Sequence, residues 1–458
     1  MTSPLGSDPF APPPASGSAP SPSERESLPT GVLIGLAVFA AFLVVGGGLF
    51  LVASQEDDGE TSSPRITIVA DDDTDDDTDE DDAPTGDADD ESAEDREGEG
   101  EARPSIEVTE HIACPEGTEP LFCELVAFVE AERGRPFQTF PSIELEETDA
   151  FRERLLDGFE DDTVDLENYG NLLRSLGLIP LDADIVSVYR DLLEVGVVGF
   201  YDTETAELVV RGGEFDLYAQ SVLVHELVHA HDDQWLDLDR PELDDAEGEE
   251  AAGFLAVIEG NAERITAAWT ATLSAEDQAL MDQQSLALFT PEDFAVIARI
   301  PTFLAQDLSW PYTEGLELVE AIAAEGGEDA VDDAFADPPE TSEQILHPEQ
   351  YLADEPVDLL AVPDHPGEFV IDGVVGEIWF LFWLGEAEAE GWGSDRFVTY
   401  RDGGEVCTRV DVVADSDADL AELESGLDRW VTGGAGRSVD DRTFDGAAGL
   451  RIEGCVAE

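Results

Sequence analysis

The sequence predicts an α+β fold, mostly helical, with a small α/β module at residues 391–458. Apolar side chains recur at helical spacing through most of residues 120–389. One strand–turn–strand interrupts them at 197–211, and strand-like alternation returns only after residue 391.

In chain order, residues 120–133, 149–159, 166–176 and 183–193 each carry the apolar face of a helix. Residues 197–201 and 207–211 read as strands joined by a turn through Asp202 and Thr203, with Gly212 and Gly213 ending the hairpin. A long helix follows over 216–235 and another over 249–269. Shorter helices are expected at 275–281, 291–299, 313–324 and 372–389. The C-terminal module reads as strands 396–401 and 406–413, a helix over 418–431 and a strand over 443–456. There is no internal repeat.

The N-terminal part reads differently. Residues 1–30 are rich in Pro, Ser, Ala and Gly, without apolar periodicity, and are expected to be a disordered cytoplasmic tail. Residues 31–53 contain no charged side chain and are long enough to cross a bilayer. Leu51 would stand at position −3 of a cut after Ala53, a poor cleavage signal, so an uncleaved anchor is expected. Arg25 precedes the span and an acidic run follows it, which places the C-terminal side outside the cell. Residues 54–103 form a self-repelling acidic linker, and the folded part is expected to begin near residue 104 and to divide at 390/391. The four cysteines, Cys114, Cys123, Cys407 and Cys455, all lie beyond the span and form no Cys-x-x-Cys pair. Two disulfides are expected, most simply Cys114–Cys123 and Cys407–Cys455, although three pairings satisfy the count.

The formal net charge is −88, and every one of the 21 basic residues is arginine. Such a surface repels nucleic acid and anionic lipid headgroups, so neither is an expected partner. The excess is not confined to the linker and extends over residues 102–458. A folded domain so charged repels itself in dilute buffer. A halophilic protein is expected rather than a merely acidic secreted one, with an unfolding midpoint that rises from low to molar salt; a flat midpoint would favour the second reading.

The chemistry centres on His225-Glu226-Leu227-Val228-His229. On a helix, residues four apart share a face, so both imidazoles reach one metal ion. Glu226 is rotated about 100° from His225, beside the metal and free to act as a base. With six histidines in 458 residues, chance supplies on the order of 0.01 such triplets. The surrounding Val222, Leu223, Val224, Leu227, Val228 and Ala230 mark a buried helix, where a glutamate between histidines is costly unless paired. Zinc, one per chain, is the expected cofactor, and a catalytic zinc site needs a third protein ligand. Glu259, flanked by Leu255, Val257 and Ile258, is the first candidate. Glu263, one turn on, either replaces it or orients a histidine, and Gly260 lets two helices approach closely. Asp233 either steadies a histidine or its helix, or is simply exposed near the helix end, and His231 faces away and reads as structural.

These residues resemble a known pattern. His225-Glu226-Leu227-Val228-His229-Ala230 followed by Asp233 is similar to the active-site helix of thermolysin-like gluzincins. The chain more closely resembles a group of membrane-anchored bacterial metallopeptidases common in actinobacteria. The segment from Gly199-Phe200-Tyr201-Asp202 to Thr205 carries that likeness, with Thr203 where proline is usual. So do Glu259-Gly260, the run from Glu340 to Tyr351 that contains His347-Pro348, and Gly391 to Arg396, with Ser394 in place of a second glycine. The likeness covers roughly residues 176–431, and His231 stands where an aliphatic residue is expected. It implies a zincin-like domain over 104–390 and hydrolysis of peptide bonds in a peptide or protein substrate.

The expected roles follow. His225, His229 and Glu259 hold zinc, and Glu226 takes a proton from water and returns it to the leaving amine. His347 and Tyr351 are candidate oxyanion donors, although His347 equally suits the start of a loop at Pro348. Strand 207–211 is a candidate exposed edge for an extended peptide. Two non-enzymatic readings compete: an inactive zincin-like scaffold of the cell envelope, and an assembly factor acting through the module after Gly391.

Overall fold

The computed structural model describes residues 111–458, apart from 157–158, 160–162, 213–214, 242, 244–247 and 445. The expected tail, anchor and linker all lie outside the described residues. Among the described residues no helix is long and apolar enough to cross a membrane.

The fold is α+β. α1 (Pro120–Glu132) begins on a proline, which has no N–H to lose at a helix start. Then come β1 (Ser142–Glu146), α2 (Thr148–Leu155), α3 (Thr163–Leu176), α4 (Ile185–Gly196), β2 (Gly199–Asp202) and β3 (Glu207–Arg211). The sheet order is β1-β3-β2, with β1 parallel and β2 antiparallel to β3. This overturns the expectation that residues 207–211 are an exposed edge. Ser-Ile-Glu-Leu-Glu at β1 alternates as a strand does, but in so acidic a chain its three polar positions hid it. β1 covers β3, and the edge beside the next helix is β2.

That helix is α5 (Leu217–Leu236), capped by Asp216, whose side chain accepts from the Ala219 N–H at 3.0 Å. It is buried on nearly all sides and packs with α1, β2, β3 and α6 (Glu250–Thr270) around Leu223, Leu227 and Val228. Next come α7 (Ala275–Ala287), α8 (Pro291–Ile297) and α9 (Thr302–Ala336), the last broken at Gly327, whose φ of 70° is left-handed. α9 also runs through Pro311, so it is far longer than the expected 313–324. Short helices α10 (Ser342–Leu346) and α11 (Pro348–Leu352) follow.

The second sheet contains β4 (Glu368–Gly373), β5 (Trp392–Asp402), β6 (Glu405–Ala414), β7 (Arg437–Phe444) and β8 (Ala447–Ala457). Its order is β4-β5-β6-β8-β7, all antiparallel. Between β4 and β5 lie α12 (Gly376–Leu384) and α13 (Glu386–Ala389), and α14 (Asp417–Gly433) connects β6 to β7. The expected helix at 372–389 therefore starts as a strand. The expected strand at 443–456 is half of a hairpin, whose other half, β7, is an exposed edge rich in charged side chains of both signs. The boundary at 390/391 falls between β4 and β5, which pair. α3, α12 and α14 cover one face of this sheet through Leu173, Phe380, Leu427 and Trp430. Both disulfides are present as Cys114–Cys123 and Cys407–Cys455, the second joining directly opposed residues of β6 and β8.

Asp395 ties β5 to α12. Its carboxylate accepts from the Val375 and Gly376 N–H groups, both at 2.8 Å, and from Trp392 Nε1 at 3.0 Å. Burial nevertheless pushes its pKa from 3.8 to about 6. Glu249, which accepts from the Ser342 N–H at 2.9 Å, is pushed by burial from 4.5 to about 8, and the Asp395 charge adds to the shift. Both groups hold a proton more tightly folded than unfolded. Their stabilising effect is therefore present at about pH 4 and is lost as pH rises through about 6 for Asp395 and about 8 for Glu249. At constant salt the unfolding midpoint is expected to fall between pH 5 and pH 8.5, as about these pKa values require, and Asp395→Asn is expected to flatten the lower part. A midpoint that rises over that interval would contradict this account.

Candidate metal centre

α5 and α6 lie side by side, and each turns polar side chains inward at one level. His225 and His229 sit four apart on α5, their rings 4.7 Å between centroids and edge to face. Glu259 of α6 faces both: its Oε2 lies 3.2 Å from His225 Nε2 and 3.5 Å from His229 Nε2. One ligand atom from each residue falls within 4.8 Å of the others, the spacing one metal ion needs. Glu263, the other candidate, lies behind the first histidine, with its Oε1 3.3 Å from His225 Nδ1. A carboxylate at Nδ1 holds the proton there and leaves Nε2 bare to face the metal position.

No family model, curated protein or solved structure matches this chain. What the site can do therefore rests on its own geometry.

The cluster is buried. His225 is 3% exposed, His229 7% and Glu259 0%. His229 Nε2 makes no hydrogen bond there, and neither does Glu259 Oε1. Two imidazoles aimed at one buried carboxylate, with acceptor atoms left over, is an unfavourable arrangement unless a cation sits between them. The donor set of two nitrogens and one carboxylate oxygen is one that zinc takes. The residues fit the metal.

The electrostatics agree with that fit. Burial works to raise Glu259, but the His229 and His225 imidazoles outweigh it and hold the carboxyl below its ordinary value. Burial works to lower His225, yet Glu259 and Glu263 keep it well above. Glu226 is different. It is 4% exposed, and burial pushes its carboxyl up against the pull of both histidines. Its one resolved backbone contact is the Tyr201 N–H of β2. A Cβ at Gly199 would lie 2.5 Å from Val222 Cγ1 and 3.2 Å from Glu226 Cγ, so only glycine lets the β2 edge lie this close.

Other expected residues go elsewhere. Asp233 accepts from the Tyr201 hydroxyl at 2.7 Å and the Leu238 N–H at 3.1 Å, so it steadies the end of α5 rather than a histidine. His231 packs edge-on against Phe137, 5.0 Å between centroids, as a structural residue. His347 and Tyr351 are not brought into hydrogen-bonding contact with the cluster. His347 Nε2 faces Glu377 at 3.3 Å, and the Tyr351 hydroxyl donates to the Asp337 carbonyl at 2.7 Å. The Glu340–Tyr351 segment instead joins α10 and α11 to α9 and α12.

One residue of the site was not foreseen. Tyr312 of α9 has its ring 6.3 Å from that of His225. Burial, followed by the carboxylates of Glu259, Glu226 and Glu263, pushes its hydroxyl well above its ordinary value, so it stays protonated and able to donate. Tyr312 directly follows Pro311 and lies one residue before the expected helix at 313–324. Tyr312 also lines a cavity of about 190 Å³ with Leu255, Trp310, Trp379, Glu249 and Asp307. None of His225, Glu226 or His229 lines that cavity.

Proposed function

We propose that the protein is a zinc-dependent peptidase whose zinc is held by His225, His229 and Glu259. The observation that carries this is the buried meeting of those three side chains with Glu226 beside them, neither bonded to the third ligand nor exposed. When bound, zinc supplies Lewis acidity toward a water and a carbonyl oxygen. Glu226 would take a proton from water at the site and hand it to the leaving amine, a role its raised affinity for protons suits. Glu263 fixes the His225 ring, and Tyr312, whose protonated hydroxyl hydrogen-bonds the Glu259 carboxylate, is the candidate donor to a developing oxyanion. Among the described residues no strand pairs with the outer edge of β2, which offers backbone groups to an extended peptide. The likeness to gluzincins and to membrane-anchored bacterial peptidases points the same way. The two disulfides suit an oxidising compartment, so the domain is read as facing outward from the anchor at 31–53.

The burial of the whole cluster favours a second reading, a metal-holding scaffold without turnover. Hydrolysis of an unstructured protein such as casein separates the two. A peptidase loses activity to a zinc chelator and regains it with added zinc. A scaffold shows no hydrolysis in any metal state.

A further inference from the structure

Four arginines are deeply buried among the described residues: Arg133, Arg211, Arg264 and Arg396. Three have carboxylate partners. Arg133 pairs with Asp232 at 2.8 Å, and with Glu328 and Asp332 at 2.6 Å each. Arg264 pairs with Glu328 at 2.8 Å, and Arg396 with Asp372 at 3.1 Å. Arg211, 5% exposed at the end of β3, pairs with no acid among the described residues, in a chain of 109 acidic and 21 basic side chains. Its Nη1 reaches the Glu194 carbonyl at 3.4 Å, and its buried Nε has no acceptor.

A second cation lies beside it. Arg152 of α2 donates its Nε to the same Glu194 carbonyl at 2.9 Å. Two guanidiniums thus converge on one neutral oxygen. Asp293 pulls on Arg211 only weakly, from beyond ion-pair distance.

Helix capping accounts for part of this. Glu194 stands in the last turn of α4, where carbonyls lack intrahelical partners and cations are favoured. Arg152 alone serves that need. A second, buried guanidinium at 3.4 Å adds little hydrogen bonding and carries the cost of a desolvated charge. Strand packing does not require it either. Val209, on the same face of β3, packs against Phe151, Val197 and Phe200, so the face that Arg211 shares is apolar. Burial and the Arg152 charge lower the Arg211 pKa only to about 10, so near neutral pH the charge is retained and needs a counter-ion.

We propose that Arg211 and Arg152 bind a small monovalent inorganic anion, chloride, between their guanidiniums. The donors are two arginine forks, one of them buried, a sparse set that suits a small monovalent anion better than a phosphate-sized dianion. One chloride neutralises one of the two charges and leaves Arg152 for the α4 carbonyl. The acidic surface does not exclude it at high salt, because at about 1 M the Debye length is about 3 Å.

The test reads stability, not hydrolysis, and is independent of the metal. The unfolding midpoint of the full-length protein is measured at fixed ionic strength while chloride replaces gluconate. The expected result is a saturable rise of about 3 °C for a site filled well above its Kd, reproduced by bromide. Crystals grown in bromide should show anomalous density between Arg211 and Arg152. Arg211→Gln should abolish the chloride response. Should that variant not fold, Arg152→Gln, at a partly exposed position, should need several-fold more chloride for half the rise. Coincident chloride and gluconate midpoints would overturn the proposal, as would an Arg152→Gln response equal to that of the wild type.

Discussion

Glu226→Gln is expected to lower peptide hydrolysis by about 10²–10⁴-fold and to leave the metal in place. The amide keeps the size of the side chain and the acceptor for the Tyr201 N–H but cannot take a proton. Glu226 is not among the three converging ligand groups, so zinc content should not move. The measurement is turnover and zinc per chain on the same preparation. Full activity would remove Glu226 from the chemistry. Loss of zinc together with activity would instead make it a ligand, and the geometry of α5 would have been misread.

The second large effect is expected at Gly260, next to Glu259. A Cβ there would lie 2.1 Å from the Gly315 carbonyl oxygen and 2.3 Å from its carbon, both backbone atoms of α9. Gly315 returns the contact, since its own Cβ would meet the Ala256 carbonyl at 2.5 Å. The two helices touch backbone to backbone, and α9 carries Tyr312 to the site through this contact. Helix propensity alone would make Gly260→Ala stabilising by about 1 kcal/mol. The contact reverses the sign, and a net loss of about 1–3 kcal/mol is expected, with weakened zinc retention because Glu259 is displaced. Denaturant midpoints and zinc content check both parts. A variant at least as stable as the wild type would show that α6 and α9 do not meet as described.

The site helix was legible because its pattern admits few explanations. Two histidines and a glutamate on an otherwise apolar helix have no cheap fate but a partner or a metal. Glu259 and Glu263 could not be separated from sequence, since residues four apart share one face; only the placement of α6 against α5 puts one at both Nε2 atoms and the other at Nδ1. Composition hid other features. In a chain so acidic, an acid says little about burial, so Ser-Ile-Glu-Leu-Glu at β1 carries no clear strand signal and Asp233 stays ambiguous. His347 and Tyr351 stand in a segment that carries the family likeness, but their partners, Glu377 and the Asp337 carbonyl, come from tertiary packing that no local pattern reveals. Tyr312 was hidden by the proline before it. Helix–helix contact holds α9 through Pro311, where local propensity alone predicts an end.

Zinc content tests the central claim most directly. The protein would be purified without chelator, dialysed in molar salt and assayed for metal, beside a His229→Ala variant. The account predicts about one zinc per chain in the wild type, as a three-ligand catalytic site requires, and far less in the variant. Folded wild-type protein that retains no zinc, and takes up none when it is supplied, would contradict it.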